Sequence, residues 1–168
     1  MPTALDTTLH SFRYSLAFLR EQVSDVPESR LCEQPGGFVN HPVWTIGHLT
    51  HTCEMIGEVI GIEAWLPATH AKLFGAGSAP VADRGTYPCV AELFVELRTA
   101  EERVISGVRR LTDAQLEQPF PDPAYADVFP SVGHALTQVL AGHTAYHVGQ
   151  VGAWRRATGL PAMRRSYE

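Results

Sequence analysis

Between Leu5 and Val23 the apolar positions fall at 5, 9, 12, 16, 19 and 23. Those alternating steps of four and three predict a helix with one face turned to a core. Pro27 and Pro35-Gly36-Gly37 stop any continuation, because proline has no amide hydrogen and glycine favours a turning backbone. Asn40 is the expected N-cap of a second helix, with Pro42 in its first turn; Trp44, Ile46, Leu49, Cys53, Ile56, Val59 and Ile60 are its apolar positions, and Gly57 and Gly61 mark its end. From Ile62 to Tyr87 no period is sustained, which predicts a long packed crossover, anchored by Trp65, Leu66, Leu73 and Phe74, that could serve as a lid. Pro88 opens a third helix with the stripe Val90, Leu93, Leu97, Ala100, Val104, Val108 and Leu111. Pro119, Pro121, Pro123 and Pro130 keep residues 112–130 irregular, with Phe120, Tyr125 and Phe129 available to pack. Ser131 caps a fourth helix through Leu136, Val139, Leu140, His143, His147, Val151 and Trp154, stopped by Gly159 and Pro161. At ~1.5 Å per residue it would run roughly 40 Å. The predicted fold is all-α: a four-helix bundle with a long crossover between its second and third helices, one domain over residues 1–168.

Composition narrows the function classes. With 45% hydrophobic and 18% charged residues, the 168-residue chain is too apolar for disorder, and no apolar run approaches the ~20 residues of a membrane span. A net charge of −5 gives no pull towards phosphate backbones, so neither nucleic acid nor membrane is an expected partner. Cys32, Cys53 and Cys89 lie far apart, and the first residues lack the basic-then-apolar pattern of a secretory leader, so a cytoplasmic protein is expected. An exposed apolar stripe would make a homodimer feasible.

His143 and His147, four apart on the fourth helix, can converge on one ion from adjacent turns. The stripe Leu136, Leu140, His143, His147, Gln150, Trp154 places both on the buried face, where an unpartnered imidazole costs about 1–3 kcal/mol. The ordinary alternative is a pair of core histidines bonded to carbonyls. A third ligand must come from the second helix, which offers His48 and His51, with His41 at its start. Register favours His48, one turn beyond Trp44, over His51, about 300° round from it. Gln150, one turn past His147, is placed to orient a ligand. Glu54 and Glu58 read as solvated helix residues rather than bases, Cys53 as core, and Arg13, Arg20, Arg98 and Arg103 as solvent-facing. Arg155-Arg156 and Arg164-Arg165 would complement the dipole of the last helix. The chain has neither a Glu-x-x-His pair for a di-iron carboxylate site nor a His-Glu-x-x-His zincin motif.

Asn40-His41-Pro42-Val43-Trp44-Thr45-Ile46-Gly47-His48-Leu49 together with His143-Thr144-Ala145-Tyr146-His147-Val148-Gly149-Gln150 resembles the DinB-like (YfiT-like) superfamily of metal-dependent proteins, over nearly the whole chain. Phe74-Gly75-Ala76-Gly77-Ser78 and the ending Trp154-Arg155-Arg156-Ala157-Thr158-Gly159-Leu160-Pro161 add to it. The resemblance implies a divalent metal, zinc or nickel first and iron third, held by His48, His143 and His147. It further implies a small-molecule substrate and, as leading activity, S-transfer from a low-molecular-weight thiol such as bacillithiol or mycothiol. A metal-dependent hydrolase and a non-catalytic stress or ligand-binding protein are the alternatives. Three protein ligands would leave a coordination position open. A thiol bearing carboxylates would call for a cation at the cavity mouth, which the sequence does not identify.

Overall fold

The computed structural model describes residues 3–163, so the reading of Arg164-Arg165 lies outside the described residues. The chain is all-helical, with no strand among those residues. Helix α1 (Ala4–Val23) starts at a reciprocal cap: Thr3 Oγ1 accepts from Asp6 N at 3.1 Å and Asp6 Oδ2 accepts from Thr3 N at 3.1 Å. The predicted stripe is the buried one, with Leu9, Phe12, Leu16, Leu19 and Val23 in the core.

Helix α2 (Pro42–Val59) is capped by His41 rather than Asn40: His41 Nδ1 accepts from Trp44 N at 3.2 Å. Pro42 takes the first helical position, where no amide partner is needed. Residues 41–50 are all buried, so the front of α2 sits inside the molecule on every side. It packs against α4 (Val90–Val108), while α1 packs against α7 (Thr144–Ala157). Leu93, Leu97, Ala100, Val104 and Val108 of α4 are fully enclosed, each leucine or valine contributing about 1.5–3 kcal/mol of burial. The N-cap of α4 is Cys89, whose sulfur accepts from Glu92 N at 3.5 Å, so Pro88 precedes the helix instead of entering it.

Three stretches expected to be irregular contain short helices. Residues 62–87 hold α3 (Ala68–Phe74) and a 3₁₀ turn at Arg84–Thr86; residues 112–130 hold α5 (Asp113–Leu116) and a 3₁₀ turn at Pro123–Tyr125; and 3₁₀ turns at Glu28–Arg30 and Pro35–Gly37 lie between α1 and α2. These runs are too short to show a period, and local caps start some of them, such as the Thr112–Gln115 box. The fourth predicted helix is one helical run in three parts: α6 (Val132–Thr137), a π-helical segment (Gln138–His143) and α7. Thr144 Oγ1 donates to Val139 O at 3.2 Å, five residues back, across the widened turn.

Arg155 corrects the reading of the last turn as a dipole-complementing tail. Its side chain is fully buried and forms a two-pronged ion pair with Asp25, at 2.6 and 3.0 Å. It also donates to the carbonyls of Gln22 and Pro161, fastening the end of α7 to the end of α1. Among the described residues no helix is long and apolar enough to cross a membrane.

Candidate metal centre

His48 from α2, His143 from the π segment and His147 from α7 meet inside the protein. His143 Nε2 lies 3.3 Å from His48 Nε2 and 3.2 Å from His147 Nε2, and one ring nitrogen of each residue lies within 4.8 Å of the others. His48 and His147 are buried and His143 half-buried. The Trp44 indole stacks on His48 at 4.5 Å with an 11° interplanar angle and meets His147 edge-on at 5.9 Å.

The outer ring nitrogens decide what the inner ones can do. His48 Nδ1 faces the carbonyl of Phe74 at 2.7 Å, and His147 Nδ1 faces Gln150 Oε1 at 2.9 Å. Both partners only accept, so each Nδ1 carries the hydrogen and each Nε2 presents a bare lone pair to the shared point. His143 Nε2 can hold at most one hydrogen there, too few to give each neighbour a full bond, and His143 Nδ1 is buried without a partner. A cation accepting all three Nε2 lone pairs would remove the shortage of hydrogens between them, and separations of 3.2–3.3 Å suit ligands at the ~2.0–2.1 Å of zinc–histidine bonds. Burial holds the His48 and His147 imidazoles down to about 4, and lowers His143 too, so all three are neutral near pH 7. Neutral imidazole is the ligating form.

Several groups around the trio were not visible in the sequence. The Phe74 carbonyl is backbone at the end of α3, and it reaches His48 because Gly47 has no side chain: a Cβ there would lie 2.3 Å from the Phe74 ring. Trp44 Nε1 donates to Ser78 Oγ at 2.9 Å, and His41 Nε2 donates to the Val81 carbonyl at 2.9 Å, so the crossover is tied down along α2 beside the histidines. Gln150 was expected to orient a ligand, and its side chain instead faces the outer nitrogen of His147 and Asn40 Nδ2, at 2.9 and 3.3 Å.

The other candidates lie outside the trio, although His51 lines the same cavity as His48 and His143. His51 is half-buried with its ring 6.0 Å from that of His70, outside the trio, and His41 caps α2. Glu54 is buried rather than solvated, its Oε1 accepting from Trp65 N at 2.6 Å and Leu66 N at 2.5 Å; Glu58 is exposed. Cys53 is in the core, where burial pushes its thiol up to about 12 and leaves it inert. Arg13 and Arg20 pair with Glu101, Arg98 with Glu102, and Arg103 lies over the Trp65 ring.

A family model described as the DinB superfamily matches residues 12–151, a span holding all three histidines. The chain belongs to the DinB superfamily. No curated protein and no solved structure matches it. Within this DinB superfamily chain, a histidine triad capable of holding a metal joins two helical runs that are distant in sequence.

Proposed function

We propose that His48, His143 and His147 hold a divalent metal ion, zinc or nickel ahead of iron, at the centre of a bundle of the four long helical runs, and that the protein is a metal-dependent transferase joining a small thiol to a small electrophile. The observation that carries this reading is the convergence of three Nε2 atoms, two with their tautomers set by acceptor-only partners, beside an open cavity lined by His48 and His143. When bound, such an ion supplies Lewis acidity that favours the thiolate over the thiol near neutral pH.

The chain's own residues do the rest. Phe74 O and Gln150 Oε1 hold two imidazoles at fixed angles, and the Trp44 face covers His48 against water. The cavity holds the electrophile against the side of the trio from which it is reached. In the transfer a carbon–sulfur bond forms, the thiol hydrogen leaves as a proton, and the electrophile expels its leaving group with the bonding pair.

Protein purified without an affinity tag is expected to carry about one metal per chain, and the His143→Ala variant to carry almost none. Metal-loaded protein is then assayed for conjugation of bacillithiol, mycothiol and cysteine to 1-chloro-2,4-dinitrobenzene, with activity expected only where metal is present. Metal-free wild type would refute the site. One metal per chain with no conjugation by any thiol would refute the transferase reading in favour of a non-catalytic binding protein or a hydrolase.

A further inference from the structure

The cavity that His48 and His143 line has a volume of about 390 Å³, at the small end of the ~300–1,000 Å³ usual for ligand pockets. Its apolar wall is formed by Met55 and Val59 on α2, Val139 on the π segment, and Phe120, Tyr125 and Phe129 on the stretch between α5 and α6, with His51 also lining it from α2. The three rings form one cluster, with centroids 5.1 Å apart for Phe120 and Phe129, 6.2 Å for Tyr125 and Phe129, and 6.3 Å for Phe120 and Tyr125. Met55 is 48% exposed and Tyr125 51% exposed, so large apolar surface is left open at the mouth.

Charge is the second observation. Among the described residues lining this cavity there is no lysine or arginine, and Asp122 is the acidic one. The Asp122 carboxylate already accepts from Ala124 N at 2.9 Å. Negative charge on the outer part of an occupant, away from the end beside His48 and His143, would leave water for an apolar wall with no lysine or arginine and one carboxylate nearby, and positive charge there would find only a carboxylate that already serves the backbone.

We infer that this cavity takes an uncharged small molecule with an apolar, aromatic body, which lies on the Phe120, Tyr125 and Phe129 rings and points towards His48 and His143. Only the role of the inward end relies on the proposed metal site; the body is read from the wall alone. The wall is thus built for the uncharged electrophile, and it offers no lysine or arginine to the carboxylates of a thiol.

The test measures the affinity of the full-length, metal-loaded protein for three matched probes by calorimetry: 4-methylbenzyl mercaptan, 4-(mercaptomethyl)benzoate and 4-(aminomethyl)benzyl mercaptan. The uncharged probe is expected to bind about tenfold tighter than either charged one. Phe129→Ala is expected to weaken it about tenfold through the lost ring contact, with metal content unchanged. Should that variant not fold, Tyr125→Ala, at a mostly exposed position, reads the same contact, and Asp122→Asn is expected to narrow the deficit of the carboxylate probe. Equal or tighter binding of a charged probe, or no effect of either ring variant, overturns the inference. A fourth probe without a donor for metal, 4-methylanisole, is run on protein before and after chelation; ring-dependent binding that survives stripping supports the cavity assignment, and its failure in both samples overturns it. Absence of metal from the untreated protein would refute the proposed function alone, since 4-methylanisole reads the wall without it.

Discussion

Gln150 acts through one oxygen, which accepts from His147 Nδ1 at 2.9 Å and so sets both the tautomer and the ring angle of that histidine. Gln150→Leu keeps much of the volume and removes the acceptor, so metal affinity should fall about 10–100-fold, while Gln150→Glu should retain most of it. Competition with a chromophoric chelator reads the difference, and equal affinity in the leucine variant contradicts the role. His41 and His70 give a second prediction at this scale. Burial holds both imidazoles down to about 4, whereas the unfolded chain takes up protons below ~6.5. The unfolded state therefore binds more protons across that window, and stability that is complete above pH ~6.5 is lost as the pH falls towards 4, on the order of 2 kcal/mol for each such histidine. Urea denaturation at pH 7 and pH 5 should show the loss, and His41→Asn, which preserves a capping side chain, should lose less. His143 and His147 were legible as ligand candidates because spacing and stripe agreed. His48 was only narrowly separable from His51, because residues 41–50 of α2 are buried all round and no polar face shows which way the helix is turned.

The elements show where periodicity stops carrying information. The stripe of the last helical run was readable, yet the widened turn at Gln138–His143 was not, since a π segment differs from an α-helix in its backbone bonds and not in its composition. Residues 62–87 read as a packed crossover, and they do lie against α2 through Phe74, Ser78 and Val81; the seven-residue α3 within them is too short to show a period. Gly47 and Phe74 are 27 positions apart and become partners only when α3 meets α2. Gly47→Ala forces the enclosed Phe74 ring away, which should cost about 1–3 kcal/mol in urea denaturation. Because the Phe74 carbonyl shifts with its ring, metal affinity should fall as well; a variant with native stability and native affinity would show that the close approach is not needed.

At the scale of the molecule, the core packed by α1, α2, α4 and α7 does not depend on the histidine trio: Leu16, Leu97, Val104 and Trp154 are fully enclosed away from it. Chelation should therefore lower the melting temperature modestly, by the binding free energy of the ion, and leave the far-ultraviolet helical signal in place. Loss of that signal on chelation would mean the metal is structural. The Arg155–Asp25 pair fastens the end of α7 to the end of α1, and Arg155→Ala should cost about 2–4 kcal/mol by leaving the Gln22 and Pro161 carbonyls without their donor. The all-helical class and the long helical runs were legible from the 3.6-residue period, but not their exact ends, since His41 rather than Asn40 caps α2 and Cys89 rather than Pro88 opens α4; Arg155 could not be told from its neighbour Arg156, because contact with Asp25 depends on how two distant helix ends meet.

X-ray absorption at the zinc edge of the zinc-loaded protein tests the central claim most directly. Three imidazole nitrogens at ~2.0–2.1 Å plus one light atom are expected in the wild type, with one imidazole fewer in His143→Ala wherever zinc is retained. A sulfur neighbour in the wild-type spectrum, or the same imidazole count in the variant, would contradict it.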